Sequence, residues 1–131
     1  MLKLERLDVS DVGDVTIVRF RDRRITDARG IEEIAQEMLH LVEREDRKKL
    51  IVSLASVDSL SSAALGKLIT LSKKAAARGG AIKLSNMNAD ISRVFSVTRL
   101  DRLFDIEKDE HHALEAFRAE SAKEDILAPA A

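Results

Sequence analysis

Two adjacent serines, Ser61 and Ser62, occupy the position in this sequence that best suits chemistry. They lie in the stretch VDSLSSAALGKLITLSKK, Val57 to Lys74, where a strand-like pattern changes to a helical one. A serine in that place commonly accepts a hydrogen bond from a free backbone N–H and contributes about 1 kcal/mol as a helix cap. A serine hydroxyl can also accept a phosphoryl group. Local physics alone favours the cap and leaves phosphorylation open.

Other residue types give no sign of catalysis or of cofactor binding. The absence of cysteine excludes disulfides, thiol catalysis and cysteine-ligated metals. The glycine motifs that bind phosphates are missing, and so is the G-x-S-x-G motif of serine hydrolases. The three histidines, His40, His111 and His112, do not have the spacing of metal ligands. We therefore expect a protein that is not an enzyme and has no cofactor and no metal.

Composition narrows the class of protein further. A chain of 131 residues, 45% of them hydrophobic and 34% charged, is typical of one globular domain. The net charge of −1 and the 3% content of aromatic residues argue against direct binding of nucleic acid or of an anionic membrane. No apolar run approaches the ~20 residues that span a bilayer, and the charged N-terminus does not resemble a signal peptide. The sequence favours a cytoplasmic protein.

Strand-like and helical patterns alternate along the chain, which predicts an α/β fold. We expect strands at Leu2–Val9, Val15–Phe20, Leu50–Leu54, Ala81–Ser85 and Leu103–Ile106. Helices are expected from Gly30, from Ser61 or Ser62, from Asn88 or Asp90, and over about His111–Glu120. The first two strands should form an antiparallel hairpin. The order β-β-α-β-α-β-α-β-α then predicts a mixed, mostly parallel sheet in one domain, residues 1–120, with residues 121–131 as a frayed tail.

Two local features, Gly66 and the run RFRDRR, have alternative interpretations, and the third predicted helix has an expected buried face. Gly66 lies inside the second predicted helix, where glycine costs about 1 kcal/mol relative to alanine. We expect it to pack closely on the sheet, the alternative being a surface that a partner approaches closely. The third helix is expected to bury Ile91, Val94 and Phe95. The run RFRDRR is interpreted as a charged strand edge, with contact to an acidic protein as the alternative.

The stretch from Leu50 to Ile106 resembles the STAS domain family, specifically the anti-sigma factor antagonists. In those proteins a strand is followed by DSSGLG or SSAGLG, a helix, RGG, a further strand and the pattern L…VF…TGLDRLF.I. Here SSAALG, RGG and RVFSVTRLDRLFDI are the counterparts, in the same order. The upstream segments VTIVRF and EEIAQEMLHLVE fit more loosely, so the resemblance covers about Leu2–Phe117. Two departures are that Ser61 takes the place of the motif's acid and Ala64 that of its glycine.

The resemblance implies a binding protein that is switched by phosphorylation. The unphosphorylated form would bind an anti-sigma factor that is itself a serine kinase, and would thereby release a sigma factor. Phosphorylation would end that binding, and a PP2C-type phosphatase would restore it. Matching ALG to GLG places Ser62 at the first serine of DSSGLG, so Ser62 is the first candidate acceptor and Ser61 the second. Candidate partner contacts nearby are Asp58, Ser59, Lys67 and Arg24.

Two other functions stay open at the level of sequence. In the first, the same fold acts as a scaffold or partner-switching protein for a target other than a sigma factor, without phosphorylation. In the second, the chain is a small α/β enzyme or nucleotide-binding protein. Binding to a sigma-directed kinase separates the favoured function from the first alternative, and saturable binding of ATP or GTP would support the second.

Overall fold

A computed structural model describes residues 4–127, with side chains described up to Lys123. The strands are β1 (Leu7–Val12), β2 (Val15–Phe20), β3 (Arg24–Ile25), β4 (Lys49–Ser53), β5 (Ser59–Leu60), β6 (Ala81–Ser85) and β7 (Asp105–Glu107). The α-helices are α1 (Ala28–Leu39), α2 (Ser62–Ala77), α3 (Ala89–Val97) and α4 (Glu110–Leu127). A π-helical turn, His40–Arg44, extends α1, and a 3₁₀ turn, Leu100–Arg102, follows α3.

Five strands form the main sheet, in the order β1-β2-β4-β6-β7. β1 pairs with β2 in antiparallel fashion, and the remaining neighbours are parallel. Gly13, in the tight turn of the hairpin, has φ 62°, a conformation that glycine adopts without strain. The prediction of an α/β fold with a mixed, mostly parallel sheet and four helices is confirmed.

The two faces of the sheet are covered by different helices. Right-handed crossovers place α1, α2 and α3 together on one face, over the main apolar core. On the other face α4 packs Ala113 and Phe117 against Val15, Ile17 and Ile51. The helix that begins at the serines therefore belongs to a three-helix layer, with its outer surface open to solvent.

Several element boundaries differ from those expected. The predicted bounds of β2 and β6 are confirmed, whereas β1 spans Leu7–Val12 and not the expected Leu2–Val9. The last strand is Asp105–Glu107, and α4 continues to Leu127, beyond the expected Glu120. Residues 1–3 and 128–131, which include the ends of the first predicted strand and of the predicted tail, lie outside the described residues.

A second, two-stranded sheet was not expected from the sequence. β3 and β5 pair in parallel, with Arg24 opposite Ser59 and Ile25 opposite Leu60. Each strand has only two residues and the flanking sequence is polar, so no periodic pattern marks them. They exist because the chain before α1 and the chain before α2 lie side by side.

Lys83 connects α4 to the sheet through charge as well as packing. Its side chain is 2% exposed, and its Nζ donates to Glu120 Oε1 at 2.7 Å and to Asp105 Oδ2 at 3.2 Å. The same ammonium group lies 4.7 Å from the centre of the Phe117 ring. Burial lowers the pKa of Lys83, but the two carboxylates outweigh it and raise that pKa above its ordinary value. Lys83 therefore stays protonated at neutral pH.

Candidate functional site

Ser61 is the N-cap of α2. Its backbone is extended, with φ −80° and ψ 165°, and its Oγ accepts a hydrogen bond from the Ala64 N–H at 3.2 Å. Its carbonyl oxygen accepts the first helical hydrogen bond, from Leu65 N–H at 3.0 Å. The expectation that a serine starts this helix is confirmed, and Ser61 is that serine.

Ser62 is the first residue of α2 and its side chain is exposed. No described residue forms a hydrogen bond with its hydroxyl group. The helix N-terminus beside it has free backbone N–H groups and the positive end of the helix dipole. The two serines thus have different environments: Ser61 is half-buried and engaged in the cap, while Ser62 is open to solvent.

The small sheet of β3 and β5 fixes the approach to α2. The N–H of Ser61 donates to the carbonyl of Ile25 at 3.1 Å, and the N–H of Asp58 donates to the carbonyl of Arg23 at 2.7 Å. On the other side, Asn88 caps α3 through the Ile91 N–H and also donates its Nδ2 to the Val57 carbonyl at 3.2 Å. The serines therefore lie on a segment that is tied to both of its neighbours, which holds the start of α2 in place.

The four predicted partner contacts lie in two places around this segment. Arg24 and Ser59 are opposite each other in the small sheet, with Arg24 exposed. Asp58 forms an ion pair with Arg23 at 2.9 Å, and both side chains are more than half exposed. Lys67, one turn along α2 from Ala63, forms an ion pair with Glu32 of α1 at 3.1 Å. All four are close in the chain or in the fold to Ser62, and their role in binding stays a prediction.

The run RFRDRR does not form an edge of the main sheet, so the expectation of a charged strand edge is wrong there; only Arg24, in the two-stranded sheet, lies in an edge strand. Arg19 lies in β2, an interior strand, and its guanidinium group forms a 2.5 Å ion pair with Glu110 at the start of α4. Arg21 pairs with Asp8 of the true edge strand, β1. The order of strands, which the sequence does not show directly, decides this difference.

Gly66 is exposed, and a Cβ atom added to it would meet nothing within 4 Å. The expectation that it packs closely on the sheet is therefore wrong. Ser62, which lies one helical turn before Gly66, is on the same outer face of α2. The interpretation that remains is a helix surface on which a partner's backbone or side chains can come close.

Substitution of Gly66 by alanine is expected to stabilise the protein by about 0.5–1 kcal/mol, because the residue is helical and the added methyl group has open space. Urea unfolding of the variant and of the parent protein measures this difference. Gly80→Ala is the matched control, since a Cβ there would lie 2.7 Å from the Lys48 carbonyl oxygen and should destabilise the protein. A loss of stability in Gly66→Ala would contradict the open environment.

No group of three or more His, Cys, Asp or Glu residues in the described part of the chain could hold a metal ion. His40 pairs with Glu45, and His112 with Asp109, so these two histidines have carboxylate partners. Over the same residues, no helix is long and apolar enough to cross a membrane.

The sequence of this chain is similar to a known protein family and to two curated proteins. The family model described as STAS domain matches residues 6–113. A candidate anti-sigma factor antagonist of Thermotoga neapolitana is 34% identical over 67 residues, which are 51% of this chain and 59% of the relative. A second one, of Thermotoga maritima, is 33% identical over 70 residues, which are 53% of this chain and 62% of that protein. The matches thus span about 60% of the length of these curated relatives.

Solved structures share the fold. The crystal structure of a candidate anti-sigma factor antagonist from Thermotoga maritima superposes with a TM-score of 0.76 and 24% identity, covering 86% of this chain and 94% of the other. The phosphorylated form of the Bacillus cell fate determinant SpoIIAA superposes with a TM-score of 0.64 and 15% identity, covering 85% of this chain and 98% of that one. At these identities the likeness concerns the fold alone.

Proposed function

Since this chain belongs to the STAS domain family, we propose that it is an anti-sigma factor antagonist switched by phosphorylation of Ser62. Its partners would be an anti-sigma factor with serine kinase activity and a PP2C-type phosphatase, and it would have no catalytic activity of its own. The relatives named as candidate anti-sigma factor antagonists support this assignment. A related fold that exists in a phosphorylated form, SpoIIAA, supports the mode of control.

The observation that carries the proposal is the difference between the two serines. Ser61 uses its side-chain oxygen as the cap of α2, so phosphorylation there would disturb a structural hydrogen bond. Ser62 is exposed and its hydroxyl has no hydrogen-bond partner among the described residues. A kinase can reach Ser62 without opening the helix, and this favours Ser62 over Ser61 as the acceptor.

A phosphoryl group at Ser62 should be compatible with the fold. It adds about −1.5 to −2 charges at neutral pH. The helix N-terminus stabilises negative charge through its free N–H groups and its dipole. The first turn of α2 has no acidic residue that would repel the new charge. The free-energy cost of phosphorylation therefore falls on a partner that had packed against the small hydroxyl group.

The partner surface that we propose surrounds Ser62 on the solvent side. It contains the outer face of α2 at Gly66, the exposed Arg24 and Ser59 of the small sheet, and the ion-paired Asp58 and Lys67. Small side chains at the start of α2 permit close approach, so a bulky oxyanion in their midst would separate the two surfaces. This geometry links a single hydroxyl group to the strength of a whole interface.

Intact-protein mass spectrometry tests the proposal directly. The protein is mixed with ATP and, in turn, with each anti-sigma kinase encoded in its genome, and the products are mapped by peptide analysis. We expect one phosphate per chain on Ser62 with the cognate kinase, and none in Ser62→Ala. Absence of phosphate with every kinase would overturn the switch.

Ser61→Ala is the matched variant, because it removes a hydroxyl group one residue away. We expect it to lose about 1 kcal/mol of stability through the missing cap, yet still to accept phosphate at residue 62. Ser62→Ala should show the reverse, with stability within about 0.5 kcal/mol of the parent. Urea unfolding and the same mass measurement separate the two roles, and modification lost only in Ser61→Ala would move the acceptor to Ser61.

A further inference from the structure

Charge is unevenly distributed in this chain. The net charge is −1, yet from Ser62 to Leu103 the acidic residues are limited to Asp90 and Asp101. The same stretch contains Lys67, Lys73, Lys74, Arg78, Lys83, Arg93, Arg99 and Arg102. It forms α2, β6, α3 and the 3₁₀ turn, so positive charge accumulates on the layer of the fold that contains α2 and α3.

Some of these cations are neutralised and others are not. Lys67 pairs with Glu32, Arg78 with Asp46, and the buried Lys83 with two carboxylates. The exposed side chains of Lys73, Lys74, Arg93, Arg99 and Arg102 form no ion pair with any side chain that the structure describes, and neither does the exposed Asp101. We call Lys73, Arg93, Arg99 and Arg102 the basic patch, and leave out Lys74 because it lies on the side of α2 that faces α1. Their charges are available to a ligand in solution.

Exposed apolar side chains lie among these cations. Val97, one helical turn after Arg93, is 76% exposed, and Leu103, directly after Arg102, is 60% exposed. A cavity of about 180 Å³ beside Leu103 is lined by Ser72 and Ala76 of α2, by Arg102 and Phe104, and by Asp105. The Asp105 carboxylate is paired with the Lys83 ammonium group at 3.2 Å. The cavity brings the 3₁₀ turn next to the helical turn that contains Lys73. Cations and apolar groups are thus combined around one concave feature.

Arg99 has φ 62° and ψ 20°, the left-handed conformation that costs a side-chain-bearing residue about 1 kcal/mol relative to glycine. This residue turns the chain from α3 into the 3₁₀ turn and so presents Arg102 and Leu103. Backbone strain of this kind is often found at functional positions. Because of this conformation, the variant Arg99→Gly should relieve backbone strain and remove one positive charge at the same time.

We propose that the basic patch, with Val97, Leu103 and the adjoining cavity, docks an acidic protein segment that has large apolar side chains. Carboxylates of the segment pair with the four free cations, and an apolar side chain enters the cavity beside Leu103. Acidic and apolar groups together match both features of the surface, whereas purely anionic ligands match the charges alone. Lys73 lies about 16 Å along α2 from Ser62, from the helical rise of 1.5 Å per residue, so this surface is separate from the phosphorylation site.

Two-dimensional NMR of the ¹⁵N-labelled full chain, titrated with the peptide Ac-DELFDEL-NH2, tests the docking surface. We expect amide shifts concentrated at Lys73, Arg99, Arg102 and Leu103. They should weaken in 0.5 M NaCl, because exposed charge pairs are screened by salt. The peptide Ac-KKLFKKL-NH2, with the same apolar residues, should give no shifts there.

Two single charge reversals provide a matched comparison at equal net charge. Arg102→Glu should raise the Kd for the peptide about fivefold, because a favourable surface charge pair becomes a repulsive one. Lys74→Glu should change it less than about twofold, since Lys74 lies two turns after Lys67 on the side of α2 that faces α1. Arg99→Gly should weaken binding while the protein unfolds at the same or higher urea concentration, which excludes misfolding as the cause.

Three results would overturn the inference. Equal loss of affinity in Lys74→Glu and Arg102→Glu would show that net charge alone attracts the peptide. Saturable binding of a DNA duplex or of phosphatidylglycerol vesicles at the patch, without binding of the peptide, would assign it to another class of ligand. Loss of the peptide shifts in Ser62→Asp would make the patch part of the phosphorylation site. Retention of the peptide shifts in Ser62→Asp would show that the docking surface is distinct from the site at Ser62, even if Ser62 is not phosphorylated.

Discussion

Ser62→Asp is expected to lower the affinity for the cognate anti-sigma kinase more than a hundredfold while the fold stays intact. A hundredfold change corresponds to about 3 kcal/mol at the interface. The reason is local: a carboxylate at the first residue of α2 is stabilised by the helix N-terminus but must be desolvated when a partner covers it. Isothermal titration calorimetry against the kinase measures the affinity, and thermal unfolding measures the fold.

Ser62→Asn is the control, because asparagine has nearly the size of aspartate without its charge. We expect its affinity to remain within about tenfold of the parent protein, and its stability to match that of Ser62→Asp within about 1 kcal/mol. Tight binding of Ser62→Asp would show that charge at this site does not control the interface. If Ser62→Asn binds as poorly as Ser62→Asp, size and not charge is the switch.

Phe95→Ala is expected to destabilise the protein by about 3–5 kcal/mol, a large fraction of the 5–15 kcal/mol that usually stabilises a domain. The Phe95 side chain is 1% exposed, and its ring makes an edge-on contact with Phe104 at 5.9 Å between centroids. The contact joins α3 to the residue before β7. Loss of the ring leaves a cavity between these elements, and urea unfolding gives the change in free energy.

Val94→Ala is the matched control on the same helix. The sequence predicts that Val94 is buried, but its side chain is 37% exposed, so we expect a change of less than about 1 kcal/mol. This comparison measures directly which face of α3 supports the core. A cost for Val94→Ala similar to that for Phe95→Ala would mean that α3 is rotated relative to the structure described.

Local sequence was sufficient for the bounds of two strands and for the cap of α2. Alternation and apolar runs gave the bounds of β2 and β6, because a strand's side-chain period depends only on the chain itself. The helix period and the serine pair gave the start of α2, since a cap needs only its own next three residues. The family resemblance then selected Ser62 as the phosphate acceptor, a prediction that the proposed experiments address.

The tertiary structure alone decided how these elements expose their residues. The period of α3 allowed burial of Val94 as well as of Phe95, and only the packing angle of the helix leaves Val94 partly in solvent. Gly66 could face the sheet or the solvent by sequence, and the structure places it in solvent. Both depend on neighbours distant in the chain, which a local pattern does not contain.

The surroundings of the serines likewise required the tertiary structure. β3 and β5 exist because Arg24 and Ser59, far apart in sequence, pair across a two-residue sheet that has no periodic signal of its own. The cavity beside Leu103 likewise brings Ser72 and Ala76 of α2 next to Arg102 of the turn after α3, residues that are far apart in sequence. The sequence offered Ser62 first and Ser61 second as candidate phosphate acceptors. Only the fold determined which surfaces surround them, because surfaces are assembled from segments that folding brings together.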